Sequence, residues 1–260
     1  MKIENKTWPI FLAVVFISLL TLGCNNQQPQ KVVLTMSAAS SLTNVLEDIK
    51  EIYTEENQDI DLVFNFGSSG VLQQQIEQGA PIDLYLSAAA DQMDKLEQKG
   101  LIDEQSRITL LSNEIVLIGA KDSYIEDFTD LTNSKVSKLA IAVPESVPAG
   151  KYARESLMNL GIWESVQNKI IYAKDVRQVL AYVERGEVEA GIVYQTDANV
   201  SDKVKIIMSA DPTSYSPILY PLAIIKGTTN QKAAEDVIAF LAGEEAKKIF
   251  KQHGFLDVGK

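Results

Sequence analysis

Four short polar segments stand out because each joins an apolar run to the apparent start of a helix. They lie at residues 37–41, 67–70, 147–150 and 175–177. The start of a helix exposes backbone N–H groups that have no acceptor and carries partial positive charge, so it can hold an anion. Because no catalytic group stands beside these segments, they predict a protein that binds an oxyanion and does not transform it.

Hydroxyl groups are concentrated in the first segment. Serine is a strong N-cap, so capping of the following helix is one interpretation of Ser40 and Ser41. Capping needs only one hydroxyl, and Ser37 lies close by as well, so ligand binding by Ser41 is the other interpretation. In the second segment, Gly67 allows a close approach of the backbone, and no Gly-Lys-Ser/Thr sequence follows that would make it a nucleotide-binding loop.

The third segment and a tyrosine offer neutral donors. Two prolines stiffen residues 144–150 and would hold the N–H of Ala149 ready for an anion, although proline near a first helical turn also has a purely structural role. Tyr194 ends an apolar run. It is either a core aromatic whose hydroxyl finds a backbone partner or a neutral donor with a pKa of about 10.

The fourth segment has the spacing of a capping box. Asp175 would cap the helix and Gln178 would reach back to the preceding backbone. This arrangement leaves the N–H of Val176 free to bind something else. Arg177 could act as a counter-charge, but arginine at this helical position usually points to solvent, and we expect that here.

Catalytic and metal-binding interpretations have little support in the sequence. His253 is the only histidine and lies in the last predicted helix, far along the chain from all four segments. There is no His/Cys cluster for zinc or another soft metal. The glutamate pairs at 55–56 and 244–245 lie on apparent solvated faces and do not resemble an acid/base couple. We therefore expect no enzyme activity, no protein ligand to a metal and no cofactor.

The elements that would position these segments alternate between strand and helix. Short β-branched apolar runs predict strands over 32–36, 61–66, 83–87, 115–120, 139–143, 170–172, 190–194, 204–207 and 219–225. Longer amphipathic runs predict helices over 41–56, 69–78, 90–99, 149–159, 176–185, 232–241 and 244–252. This alternation is typical of an α/β protein with mixed, mostly parallel sheets flanked by helices.

The order of the elements predicts two lobes. In open α/β sheets, ligands bind outside the carboxyl ends of the strands, where all four polar segments fall. Two segments precede the middle of the chain and two follow it, so each lobe would contribute two. We predict lobe I over 31–113 and 221–260 and lobe II over 114–220, with strands near 115–120 and 219–225 crossing between them.

The first residues have the pattern of a secretory signal. Two lysines precede the apolar residues 10–22, and Gly23 and Cys24 follow. A permanent transmembrane helix is the alternative, but it needs about 20 apolar residues. Cys24 resembles the lipid-accepting cysteine of a bacterial lipobox; the other interpretation is an ordinary cleaved signal with an incidental cysteine. We predict a lipoprotein signal peptide over 1–23 and a polar tether over 24–30.

The charge of the chain excludes some partners. It has 24 basic and 35 acidic side chains, and removing residues 1–23 takes away two lysines and one glutamate, so the net charge changes from −11 to −12. So acidic a protein is a poor candidate for binding nucleic acid or an anionic membrane face. An anion would have to be held by local dipoles.

Taken together and in order, several segments carry a resemblance to a known family. The chain resembles the periplasmic molybdate-binding proteins of ABC transporters, the ModA family, from about residue 32 to residue 255. The similar segments are 38–44, 66–69, 79–84, 147–153, 175–177, 191–194 and 248–255.

The resemblance implies a fold and a ligand. The fold is a two-lobed periplasmic-binding-protein-like fold of type II with the ligand cleft between the lobes. The ligand is tetrahedral molybdate or tungstate, held by hydrogen bonds without a direct bond from the protein to molybdenum. The implied donors are Ser41 and Ser69 from lobe I and Ala149, Val176 and Tyr194 from lobe II.

The resemblance also implies partners and a location. The partners are a membrane permease and its cytoplasmic ATPase. The protein itself would be a monomer, either anchored by a lipid on Cys24 to the outer face of the cell membrane or located in the periplasm. The chain departs from the family pattern at Gly70, where serine or threonine is frequent, which leaves the number of donors open. The alternatives are a receptor for sulfate, thiosulfate or phosphate, and a lipid-anchored sensor with the same fold.

Overall fold

The computed structural model describes residues 31–258. The predicted signal peptide and the whole of the predicted tether, including Cys24, lie outside these residues. Within them, no helix combines the length and the apolar character that crossing a membrane requires. From Val32 onward, the described residues belong to one compact unit.

Within residues 31–258, ten strands form two separate five-stranded sheets. In chain order the strands are β1 (Val32–Ala39), β2 (Ile60–Gly67), β3 (Leu84–Leu86), β4 (Ile108–Ser112), β5 (Ile115–Ala120), β6 (Leu139–Ala142), β7 (Ile170–Ala173), β8 (Ala190–Tyr194), β9 (Val204–Ser209) and β10 (Leu219–Ile224). The first sheet has the order β2-β1-β3-β10-β4, and the second has the order β7-β6-β8-β5-β9. The central strands are near-continuous apolar runs because helices cover the sheets.

Nine α-helices pack on these sheets among the described residues. They are α1 (Thr43–Glu56), α2 (Ser69–Glu77), α3 (Ala90–Gln98), α4 (Pro148–Asn159), α5 (Trp163–Val166), α6 (Val176–Glu184), α7 (Gln195–Asn199), α8 (Gln231–Leu241) and α9 (Glu244–Gln252). Short 3₁₀ turns occupy Ser40–Leu42, Glu104–Ser106, Thr129–Thr132, Gln167–Lys169 and Pro212–Ser214. We call the first sheet with α1–α3, α8 and α9 the first half, and the second sheet with α4–α7 the second half.

The sheets are mixed, as predicted, but parallel pairs do not outnumber antiparallel pairs. Among the described strands, β1 pairs in parallel with β2 and β3, and β6 with β7 and β8. The four antiparallel pairs all involve β5 or β10. These are the two strands that bring the chain into the second sheet and back into the first. The crossing strands therefore account for the antiparallel share of the fold.

The strand register brings the polar segments together at one edge of each sheet. Ala39 at the end of β1 pairs with Gly67 at the end of β2, so the turn after β1 lies beside the start of α2. In the second sheet, Ala142 at the end of β6 pairs with Ala173 at the end of β7, so the starts of α4 and α6 are neighbours. The parallel strand β8 ends at Tyr194, on the same edge.

Candidate functional site: a pocket between the two halves

A small pocket lies where the strand ends of the two halves meet. Four of the five residues predicted from the sequence line it: Ser41 and Ser69 from the first half, and Val176 and Tyr194 from the second. All four are at least 97 % buried. The predicted donors thus come from four different elements and share one pocket, which no single stretch of the chain could form.

Ser69 is held from two sides. Its Oγ accepts a hydrogen bond from Ala88 N–H at 3.0 Å, and its carbonyl accepts one from the Tyr85 hydroxyl at 2.8 Å. Because the Oγ lone pair is engaged with a backbone N–H, the hydroxyl hydrogen of Ser69 is free to donate. The residue therefore presents a donor in a fixed position.

Two buried hydroxyls in the pocket have no hydrogen-bond partner among the described residues. They belong to Ser68 and Tyr194. Burial, with smaller contributions from Tyr220, Tyr152 and Asp197, raises the pKa of Tyr194 well above its ordinary value, so the phenol stays neutral and keeps its hydrogen. A buried hydroxyl without a partner is costly, so these two groups mark where a polar ligand fits.

Ser68 is a lining residue that the sequence prediction did not select. It is the N-cap of α2, yet its side chain makes no capping hydrogen bond. The N-cap preference for serine could have identified it, because it directly precedes the first helical residue.

The start of α4 borders the same pocket. Val147, its N-cap, and Pro148, its first residue, both line the pocket, while Ala149 is the next residue along the helix and is buried. The N-cap side chain is valine and cannot satisfy the N–H groups of the first turn. The Ala149 N–H also has no acceptor within the helix, because the first residues of an α-helix have none.

The start of α6 is capped as predicted, with one residue of displacement. Asp175 Oδ1 accepts from Gln178 N–H at 2.8 Å, and Gln178 Oε1 accepts from Lys174 N–H at 2.7 Å. The capping box satisfies the N–H groups of Lys174 and Gln178 and does not use that of Val176. Val176 lines the pocket with that N–H left over.

Arg177 does not point to solvent, and that prediction was wrong. Its guanidinium crosses to the first half, where Nε and Nη2 donate to the carbonyls of Ser40 and Ser41, each at 3.3 Å. Nε also lies 2.6 Å from Oδ1 of Asp197, which is fully buried. The N–H direction favours the Ser40 carbonyl, and neither carboxylate oxygen accepts a well-aligned hydrogen bond. The Asp197 contact is therefore an ion pair held by charge.

Two further contacts join the halves near the pocket. Gly70 N–H, in the first turn of α2, donates to the carbonyl of Ser146 at 3.0 Å. Lys151 on α4 forms an ion pair with Asp91 on α3. With the Arg177 contacts, these place the halves together over the pocket.

The single histidine lies away from the pocket. Among residues 31–258, no group of three or more His, Cys, Asp or Glu side chains could hold a metal ion. His253 Nε2 lies 2.8 Å from Asp48 Oδ2 on α1, and neither residue lines the pocket.

The family described as "Bacterial extracellular solute-binding protein" matches residues 34–256 of the chain. The chain belongs to this family. Its two mixed sheets with flanking helices have the type II periplasmic-binding-protein fold.

Several individual solute-binding proteins are similar to the chain over most of its length. The Escherichia coli "Molybdate-binding protein ModA" is 41 % identical over 232 residues, covering 85 % of this chain and 88 % of that protein. A Bacillus subtilis protein named "Putative ABC transporter substrate-binding lipoprotein YvgL" is 46 % identical over 257 residues, covering 96 % of this chain and 98 % of its own. The solved structure of the Azotobacter vinelandii periplasmic molybdate-binding protein is 25 % identical, with a TM-score of 0.78 and coverage of 86 % and 99 %.

Proposed function

We propose that the protein is the solute-binding component of a molybdate or tungstate ABC importer. The observation that carries the proposal is a pocket between the halves that presents neutral donors, among them the unpartnered Tyr194 hydroxyl. Among the described residues, those lining the pocket include no lysine or arginine. The names of the relatives support molybdate as the ligand.

Neutral donors can bind a dianion tightly when several act together. The proposed donors are the hydroxyls of Ser41, Ser69 and Tyr194 and the N–H groups of Ala149 and Val176. Hydrogen bonds to a charged group contribute about 1.5–3 kcal/mol each, so five can offset the dehydration of the anion. The starts of α2, α4 and α6 add their partial positive charge.

Capture requires the two halves to separate and close. An open form would expose part of the site on each half, and the anion would complete the set of donors. In this proposal, the contacts of Gly70, Lys151 and Arg177 across the pocket would hold the closed form together. A permease with its ATPase would then recognise the closed protein and accept the anion.

We also propose where the protein is located and that it catalyses no reaction. A lipid on Cys24 would anchor the protein, as a monomer, to the outer face of the cell membrane, with residues 24–30 as the tether; the lipoprotein name of the Bacillus relative supports this. No cofactor takes part, and the protein is not an enzyme, because capture and release break no covalent bond.

Thermal unfolding with four anions tests the ligand. We expect molybdate and tungstate to raise the melting temperature most, sulfate less and phosphate least. At 100 times Kd, a ligand that binds only the native state adds about 2.7 kcal/mol of stability. Sulfate is smaller than molybdate and leaves gaps in a fixed ring of donors. Phosphate carries a hydrogen at neutral pH, for which a site made only of donors has no acceptor. A larger response to sulfate or phosphate than to molybdate would contradict the proposal.

We expect Gly70→Ala to weaken molybdate binding about tenfold or more while the unliganded protein keeps its stability. A Cβ on residue 70 would lie 2.5 Å from the carbonyl oxygen of Ser146, across the closed interface. Overpacking so tight a contact costs about 1–3 kcal/mol, and only the closed form bears this cost. Isothermal titration with molybdate measures the change.

Gly243→Ala is the matched control, because its Cβ would also press on a backbone carbonyl oxygen. That oxygen belongs to Phe240, at 3.0 Å and within the first half, and Gly243 does not line the pocket. We expect molybdate affinity close to that of the wild type. Equal losses in the two variants would show that the Gly70 contact does not limit closure.

A further inference from the structure

The Ser41 hydroxyl is supported from behind by a chain of buried polar groups. Ser41 Oγ lies 3.1 Å from the hydroxyl of Tyr220 on β10. The Tyr220 hydroxyl accepts from Asn113 Nδ2 at 3.2 Å, and the same Nδ2 donates to Thr196 Oγ1 on α7 at 2.9 Å. Each of the four residues is at least 94 % buried. Asn113 lies between β4 and β5, where the chain passes from the first half to the second.

The orientation of the Asn113 amide is fixed by the backbone. Its Oδ1 accepts from Glu114 N–H at 2.9 Å. If the amide were turned over, Nδ2 would face that N–H and two donors would meet. Both hydrogens of Nδ2 are therefore available to Tyr220 and Thr196, and the Tyr220 oxygen acts as an acceptor toward Asn113.

This orientation leaves one destination for the hydrogen of Tyr220. Within the part of the chain that the structure describes, the hydrogen-bond partners of the Tyr220 hydroxyl are Asn113 Nδ2 and Ser41 Oγ. The amide nitrogen cannot accept, so the hydrogen goes to Ser41 Oγ. Burial raises the pKa of Tyr220 far above its ordinary value, so this hydrogen stays in place at physiological pH. The hydrogen of Ser41 itself is then left for the pocket.

We propose that Tyr220 and Asn113 are positioning residues that compel the Ser41 hydroxyl to donate into the pocket. The inference rests on the proposed function, because it concerns the same oxyanion site. A ligand oxygen without a hydrogen gains a hydrogen bond from Ser41. A ligand oxygen that carries a hydrogen finds a second donor and is rejected. We call Asn113, Tyr220 and Ser41 the relay. Because Asn113 lies where the chain passes from one half to the other, the segment that connects the halves also helps the site to select its ligand.

A double-mutant cycle on molybdate binding tests the relay. We expect Ser41→Ala to weaken binding roughly 10- to 100-fold and Tyr220→Phe about fivefold, because Tyr220→Phe keeps the Ser41 hydroxyl but frees its direction. In the Ser41→Ala background, Tyr220→Phe should have no further effect. The phenylalanine ring retains the contacts with the rings of Tyr194 and Phe255, so the fold is preserved. Melting temperatures of the unliganded variants check this.

Tyr53→Phe is the matched control, since Tyr53 is a buried tyrosine on α1 that does not line the pocket. It should leave molybdate affinity unchanged. An equal effect of Tyr220→Phe with and without the Ser41 hydroxyl would overturn the relay while leaving the proposed function standing. If the wild type prefers another of the four anions, the ligand assignment fails and the same cycle with that anion still decides the relay. A wild type that binds none of them overturns both.

Discussion

The double variant Ser69→Ala/Tyr194→Phe is expected to lose about 3–6 kcal/mol of molybdate binding free energy, roughly a 150- to 20,000-fold rise in Kd, because two charge-assisted hydrogen bonds disappear. The two hydroxyls come from opposite halves, so neither half keeps its full set of donors. Isothermal titration of the unliganded protein with molybdate measures the loss.

The unliganded stability of the single variants separates binding from folding. Tyr194 has no hydrogen-bond partner among the described residues, so Tyr194→Phe removes an unsatisfied buried hydroxyl and should leave the melting temperature unchanged or raise it. Ser69→Ala leaves Ala88 N–H without its acceptor and should cost about 1 kcal/mol. If Tyr194→Phe loses affinity but no stability, the loss reflects the missing hydrogen bond from the Tyr194 hydroxyl to the ligand.

A matched double variant completes the design. Tyr53→Phe/Ser156→Ala also removes one buried tyrosine hydroxyl and one buried serine hydroxyl, but neither residue lines the pocket. We expect its molybdate affinity to stay near that of the wild type. If Ser69→Ala/Tyr194→Phe also bound molybdate with wild-type affinity, the anion would have to be held elsewhere.

Elements with a strong local pattern could be predicted from the sequence, and elements formed by tertiary contact could not. The strand Ile115–Ala120 and the helix Glu244–Gln252 have the predicted bounds. The strand Ile108–Ser112 was missed; it is an edge strand held by antiparallel pairing with β10, more than 100 residues away, and no local pattern reveals such a pairing. The one-turn helices at Trp163–Val166 and Gln195–Asn199 were missed as well, because so short a helix exists only through packing.

The same division applies to the pocket. Ser69 and Tyr194 stand at the junction of a strand with a helix, and parallel pairing alone brings such junctions to one edge. Arg177 and Tyr220, by contrast, both contact Ser41, which lies 136 residues before Arg177 and 179 residues before Tyr220 in the sequence. The solvent preference of arginine at a helix start is a local rule, and here a contact across the halves overrides it.

Asp197 makes the stability of the protein depend on pH in an unusual direction. Its side chain is fully buried, and burial raises its pKa from the ordinary 3.8 to about 6; the charge of Arg177 opposes the rise and that of Asp175 adds to it. A carboxyl whose pKa is raised on folding stabilises the native state while it is protonated. That contribution is complete below pH 4 and is lost as the pH rises through 6. The difference between the pKa values of 3.8 and about 6 corresponds to about 3 kcal/mol of unfolding free energy.

We therefore expect Asp197→Asn to gain stability relative to the wild type, by about 3 kcal/mol, as the pH rises from 4 to 7. Asparagine has nearly the same shape and does not titrate, so subtracting the two urea-unfolding curves at each pH removes the other ionisable groups. Arg177→Gln should show the opposite trend. Its loss of stability should be larger at pH 8, where Asp197 is charged and needs a partner, than at pH 5, where Asp197 is protonated. If the stability difference from the wild type did not change with pH for either variant, Asp197 would not titrate in this range. The contacts of Arg177 would then depend on the Ser40 and Ser41 carbonyls alone.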